Sequence, residues 1–99
     1  MKIDMKRSGT ALTVIPEGRL DTATSPELKS LLDENINGVT ELTFDLAKLV
    51  YLSSAGLRVL MSAQKTMDKQ GQMKLQNVNE DVLEILDMVG LTDVFTIEE

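Results

Sequence analysis

Cysteine, histidine and tryptophan are all missing from the 99 residues, and aromatic residues make up only 3% of them. Without cysteine there is no disulfide to staple a fold and no thiol nucleophile, a composition at home in a reducing compartment. Without histidine the chain lacks the commonest general base, the usual activator of a serine nucleophile and the commonest zinc ligand. Serine–histidine hydrolysis and ordinary zinc catalysis are thereby excluded. Positive charge is scarce, with 10 Lys and Arg against 16 Asp and Glu and a net charge of -6. That balance opposes phosphate backbones and anionic headgroups, so neither nucleic acid nor a membrane surface is an expected partner. The opening "MKIDMKRSGT" carries charges where a signal peptide needs an apolar stretch, and no later run is long enough to span a bilayer. A soluble, cytoplasmic protein is expected.

What is present is an ordinary core-forming share of apolar residues, 42%, in a length that suits one domain over residues 1–99. Ile3 and Met5 alternate with charged neighbours, Leu12 and Val14 alternate again after the turn "SGT", and Pro16 is expected to end that second strand. "DTATSPELKSLLDENING" reads as a helix whose cap is either Thr24, in a capping box with Glu27, or Ser25 before Pro26. It closes at Gly38, and Leu28, Leu31, Leu32 and Ile36 share one face. "VTELTFDLAKLVYL" reads as a single central strand. Gly56, Val59, Leu60, Ala63 and Met67 recur at helical spacing as far as Gly71, and "QMKLQNV" returns to strand alternation. Asn79 ahead of Glu80 and Asp81 starts a third helix, with Val82, Ile85, Leu86 and Val89 on its inner face and Gly90 at its end. The tail "LTDVFTIEE" reads as a short final strand or a strand-like tail. The order β-β-α-β-α-β-α-β predicts an α/β domain with a mixed sheet and helices packed on it, since its later strands need crossovers and are therefore parallel. The six methionines are expected mostly at core positions.

The stretch "LVYLSSAGLRVLM" holds the candidate site. Ligands and partners of α/β sheets meet the loops at the carboxyl ends of strands, where a helix start offers unpaired N–H groups. Ser53 and Ser54 occupy that place, with Ala55 and Gly56 expected to keep the approach to the backbone open. A serine at a strand-to-helix junction is usually a cap. A hydroxyl at a cap is also accessible, and a phosphate added to it would meet favourable N–H groups.

"GRLDTATSPEL", "LTFDLAKLVYLSSAGLRVL" and "LQNVNEDVLEILDMVGLTDVF", with Asp21, Asn77 and the Gly90–Leu91 pair at matching positions, together span nearly the whole chain. In these segments it resembles the STAS domain of bacterial anti-sigma factor antagonists, the anti-anti-sigma proteins of partner-switching systems. The resemblance implies an STAS fold and a protein that docks on an anti-sigma factor to free a sigma factor. It also implies a serine phosphorylated by that same anti-sigma factor acting as a kinase, and a serine phosphatase that reverses the modification. The family's loop reads Asp-Ser followed by Ser or Thr and then Gly, and its first serine aligns with Ser54. Here Ser53 replaces the aspartate and Ala55 the second hydroxyl residue, which makes Ser53 a second candidate for the phosphate. Asp21, Thr22, Thr24, Ser53, Ser54, Gly56 and Arg58 are the expected partner-binding set.

Two other readings compete. An enzyme would have to use carboxylates such as Asp21 and Asp45, yet no phosphate-cradling Gly-x-x-x-x-Gly-Lys loop is present and no motif asks for a cofactor or a metal. A constitutive STAS subunit of a lipid-transport or signalling assembly would use the same surface without a phosphate switch.

Overall fold

The computed structural model describes residues 1–98. The strands are β1 (Lys2–Ser8), β2 (Ala11–Leu20), β3 (Glu41–Asp45), β4 (Leu49–Leu52), β5 (Gln72–Gln76) and β6 (Thr96–Glu98), and the helices are α1 (Ser25–Asn35), α2 (Ser54–Gln70) and α3 (Glu80–Met88). Gly9, at φ +61, leads the two-residue loop between Ser8 and Ala11, the positive φ that a tight hairpin demands at its first loop position. β1 and β2 are antiparallel and every later pairing is parallel, in the order β1-β2-β3-β5-β6 with β4 attached to β2. The expected mixed-sheet α/β domain is what forms.

The register explains the core. Leu12 faces Leu42 and Leu42 faces Met73, while Val14 faces Phe44 and Phe44 faces Leu75, so one face of the sheet is an unbroken apolar layer. Leu28 and Leu32 of α1, Leu60 and Met67 of α2, and Val82 and Leu86 of α3 close over it, all of them buried. Each such side chain contributes roughly 1.5–3 kcal/mol by leaving water.

Several local expectations change. The run expected as one central strand is two, β3 and β4, because Leu46–Lys48 turns the chain away from β3 and onto the far end of β2. Pro16 does not end β2. It stays paired with Ile3 and falls in the interval between the pairing with β3, which stops at Val14, and the pairing with β4, which starts at Gly18; a missing N–H costs little there. α1 ends at Asn35 with Ile36 as its C-cap, before Gly38. Val89 is 52% exposed and does not extend the inner face of α3. That helix closes with Leu91 N–H donating to Leu86 C=O and Gly90 N–H to Asp87 C=O, a Schellman end that turns Val89 outward. Of the methionines, Met67 and Met73 are buried, Met1 and Met5 pack at the margin, and Met61 and Met88 face solvent.

Candidate functional site

Two loops meet at the C-terminal ends of β2 and β4. Ser53 N–H donates to Leu20 C=O at 2.9 Å, which joins the segment after β2 to the start of α2. The first loop is closed by Asp21. One oxygen of its carboxylate accepts the N–H groups of Ala23 and Thr24 at 3.0 and 3.1 Å, and the other lies 3.9 Å from Arg19 Nε. These donors, Thr24 N–H foremost, with the Ala23 N–H, the Thr24 hydroxyl and the Arg19 charge, hold the Asp21 carboxyl below its ordinary pKa; desolvation works the other way. Asp21 N–H in turn donates to Thr24 Oγ1, which donates to Arg19 C=O at 2.7 Å. Thr24 is the N-cap of α1 by position, but with its hydroxyl so occupied it makes no side-chain cap, and Ser25 Oγ donates back to Asp21 C=O. Neither of the two caps expected from sequence therefore forms. Asp21 and Thr24 build the loop, and Thr22 at its tip is exposed.

The two serines divide the work at the second loop. Ser53 is the N-cap of α2, its backbone extended and its Oγ accepting Gly56 N–H at 3.3 Å. Ser54 is the first helical residue, exposed, and among the described residues its hydroxyl has no hydrogen-bond partner. Gly56 lies inward. A Cβ there would meet Leu20 Cγ and Leu52 Cδ1 at 2.8 Å and Leu20 O at 2.9 Å, so this glycine permits close packing of α2 on the strands rather than access from outside. Arg58, one turn along the same face as Ser54, is exposed. An open, largely apolar groove runs beside it between α1 and α2, with Thr22, Pro26, Lys29, Ala55, Val59 and Ser62 on its walls.

Of the expected set, Thr22, Ser54 and Arg58 thus form one accessible surface beside the groove, Asp21, Thr24 and Ser53 hold its loops, and Gly56 is buried beneath it. Sequence reasoning passed over Tyr51. The register of β4 on β2 slips between Gly18 and Arg19, which leaves Val50 as an extra residue and breaks the alternation, so Val50 and Tyr51 are both exposed. The Tyr51 ring lies 4.3 Å from Arg19 Cζ, a cation–π contact beside Asp21. Its signal in the sequence was slight: it is the chain's one tyrosine, just ahead of the serines. Among the described residues no helix is long and apolar enough to cross a membrane.

The STAS domain family model matches residues 2–99. An anti-sigma F factor antagonist of Paenibacillus polymyxa is 31% identical over 100 residues, an alignment covering 98% of this chain and 86% of that protein. An anti-sigma-B factor antagonist of Bacillus subtilis is 29% identical over 98 residues, covering 98% of this chain and 90% of the relative. The crystal structure of an anti-sigma factor antagonist from Mycobacterium paratuberculosis superposes with a TM-score of 0.87 at 18% identity, over 97% of this chain and 83% of that one. Sequence and fold agree on one assignment: the chain belongs to the STAS-domain family.

Proposed function

We propose that this protein is a cytoplasmic anti-sigma factor antagonist, a binding protein and not an enzyme, whose single STAS domain docks on an anti-sigma factor and so frees a sigma factor. The docking surface is the pair of loops around Asp21–Thr24 and Ser53–Arg58. Ser54 is the switch. The observation that carries this reading is the division between the serines: Ser53 Oγ is committed to Gly56 N–H, while Ser54 Oγ is exposed and unengaged, on a surface two loops share.

In the modification step the Ser54 oxygen attacks the γ-phosphorus of ATP, the bond to ADP breaks, and the hydroxyl proton passes to a base of the kinase, which is the anti-sigma factor itself. A serine phosphatase restores the hydroxyl by water attack, releasing inorganic phosphate. The phosphate adds about -1.5 to -2 charge. Placing such a dianion in an interface without matching cations costs several kcal/mol, and about 4 kcal/mol is already a thousandfold in affinity.

The test is to incubate wild type, Ser54→Ala and Ser54→Asp with the anti-sigma factor kinases of the source genome and ATP, reading binding by calorimetry and phosphate by mass spectrometry. Phosphate on the Ser54 peptide is expected, with binding kept by alanine and weakened at least tenfold by aspartate. No phosphate on either serine and equal binding by all three proteins would instead identify a constitutive interaction subunit.

A further inference from the structure

The groove between α1 and α2 says something about what docks there. Its walls are Pro26, Ala55 and Val59 with hydroxyls from Thr22 and Ser62, and the cations on its rim are Lys29 and Arg58. Lys29 is already paired with Asp33 at 2.7 Å. Arg58 has no carboxylate partner among the described residues, in a chain with six more acidic than basic side chains. An unpaired guanidinium beside an apolar groove fits an aliphatic side chain flanked by Asp or Glu, because the apolar part fills the groove and the carboxylate meets the guanidinium in a forked pair.

Arg58 is also four residues after Ser54 on one exposed helical face, a spacing that brings Cβ atoms to about 5–6 Å, with the anionic member N-terminal as such pairs prefer. We propose that Arg58 is a shared receptor for negative charge. With Ser54 free, it pairs with a carboxylate of the anti-sigma factor while a neighbouring aliphatic side chain of that partner fills the groove. With Ser54 phosphorylated, it pairs with the phosphate one turn away. Phosphorylation then does more than repel. It withdraws the cation that the partner's acid requires and leaves two anions facing each other. This inference rests on the proposed role of Ser54.

The pairing is tested without a partner. Phosphoserine is installed at position 54 of the full chain, and the phosphate is titrated by phosphorus NMR in wild type, Arg58→Lys and Arg58→Ala. The second phosphate pKa should lie several tenths of a unit lower with Arg58 or Arg58→Lys than with Arg58→Ala, because a nearby cation favours the dianion. The difference should vanish in about 1 M NaCl, where the screening length is near 3 Å. Equal values in all three proteins overturn the pairing.

The competition is then read with the anti-sigma factor found to bind. Unphosphorylated Arg58→Ala should bind about tenfold more weakly and Arg58→Glu weaker still, and Ser62→Phe, which fills the groove while leaving Ser54 free, should weaken binding comparably. The loss on phosphorylation should be severalfold smaller in Arg58→Ala than in wild type, the non-additivity expected of coupled groups. Strictly additive losses, or unimpaired binding by Ser62→Phe, overturn the shared-receptor model. If no anti-sigma factor binds the unmodified protein, the functional reading falls and takes the competition with it, whereas an unchanged phosphate titration overturns the pairing alone.

Discussion

Replacing Gly56 with alanine adds one methyl group where no room exists. The new Cβ would stand 2.8 Å from Leu20 Cγ and Leu52 Cδ1 and 2.9 Å from Leu20 O. Leu20 and Leu52 are 0% and 1% exposed, so neither side chain can swing into solvent. Leu20 O is fixed as well, because it accepts Ser53 N–H at 2.9 Å and moving it stretches the bond that joins the two loops. Overpacking of this kind costs roughly 1–3 kcal/mol and weakening the hydrogen bond about 1 more. Alanine's better helix propensity returns up to about 1 kcal/mol. The net is a destabilisation of about 2 kcal/mol. For a domain of this size that lowers the midpoint of thermal unfolding by roughly 8–16 °C. Circular dichroism melts and urea titrations of wild type and Gly56→Ala measure it directly. A midpoint equal to or above wild type would refute the inward packing assigned to Gly56 and restore the idea that the glycine keeps an outer approach clear.

Ser53→Ala should cost about 1 kcal/mol of stability through loss of the α2 cap, and Ser54→Ala less than about 0.5 kcal/mol. Equal losses in denaturant titrations would mean that the cap is misassigned. Asp21 makes stability acid-sensitive in a defined direction. Its folded pKa is depressed, chiefly by Thr24 N–H, so its contribution is present above the unfolded value of about 3.9 and is lost as pH falls through the lower folded value. Asp21→Asn should therefore flatten the decline in stability below about pH 4, and an unchanged pH profile would show that the carboxylate does not close the loop.

Signals confined to a few neighbouring residues were legible from sequence alone. Asn79 caps α3 by accepting Val82 N–H, as its place before two acids suggested, and the apolar spacing of α2 from Gly56 to Met67 marks a buried face. Features set by distant residues were not. Leu46 and Leu49 are both fully buried, so the apolar run through them conceals the point where β3 ends and β4 begins; only the far end of β2 decides it. Thr24 has a capping residue's identity and position, but Asp21 and Arg19 claim its hydroxyl first. The same limit applies at the site. The sequence places two adjacent serines at the junction, but which hydroxyl is spoken for depends on the backbone turn, extended at Ser53 and helical from Ser54. That Gly56 faces inward depends on Leu20, thirty-six positions earlier, lying under it.

The attachment of β4 has a further consequence for how the Ser53–Ser54 junction is held. β4 is joined to β2 through three register pairs, with Asn79 Nδ2 donating to Leu49 C=O at 2.6 Å as a side tie, whereas β3 is paired along its length with β5 and over four positions with β2. Few ladder bonds hold β4, but Leu49 and Leu52 are buried and α3 packs on the strand, so freeing it would expose that apolar surface as well as break its ladder. Amide protons of Val50 and Tyr51, the exposed part of β4 where the register slips, should exchange through local openings that cost less than global unfolding, while those of Leu42 and Phe44 wait for the whole domain to open. The stretch just ahead of the two serines thus joins a fixed apolar anchor, Leu49 and Leu52, to a locally slipped ladder at Val50 and Tyr51.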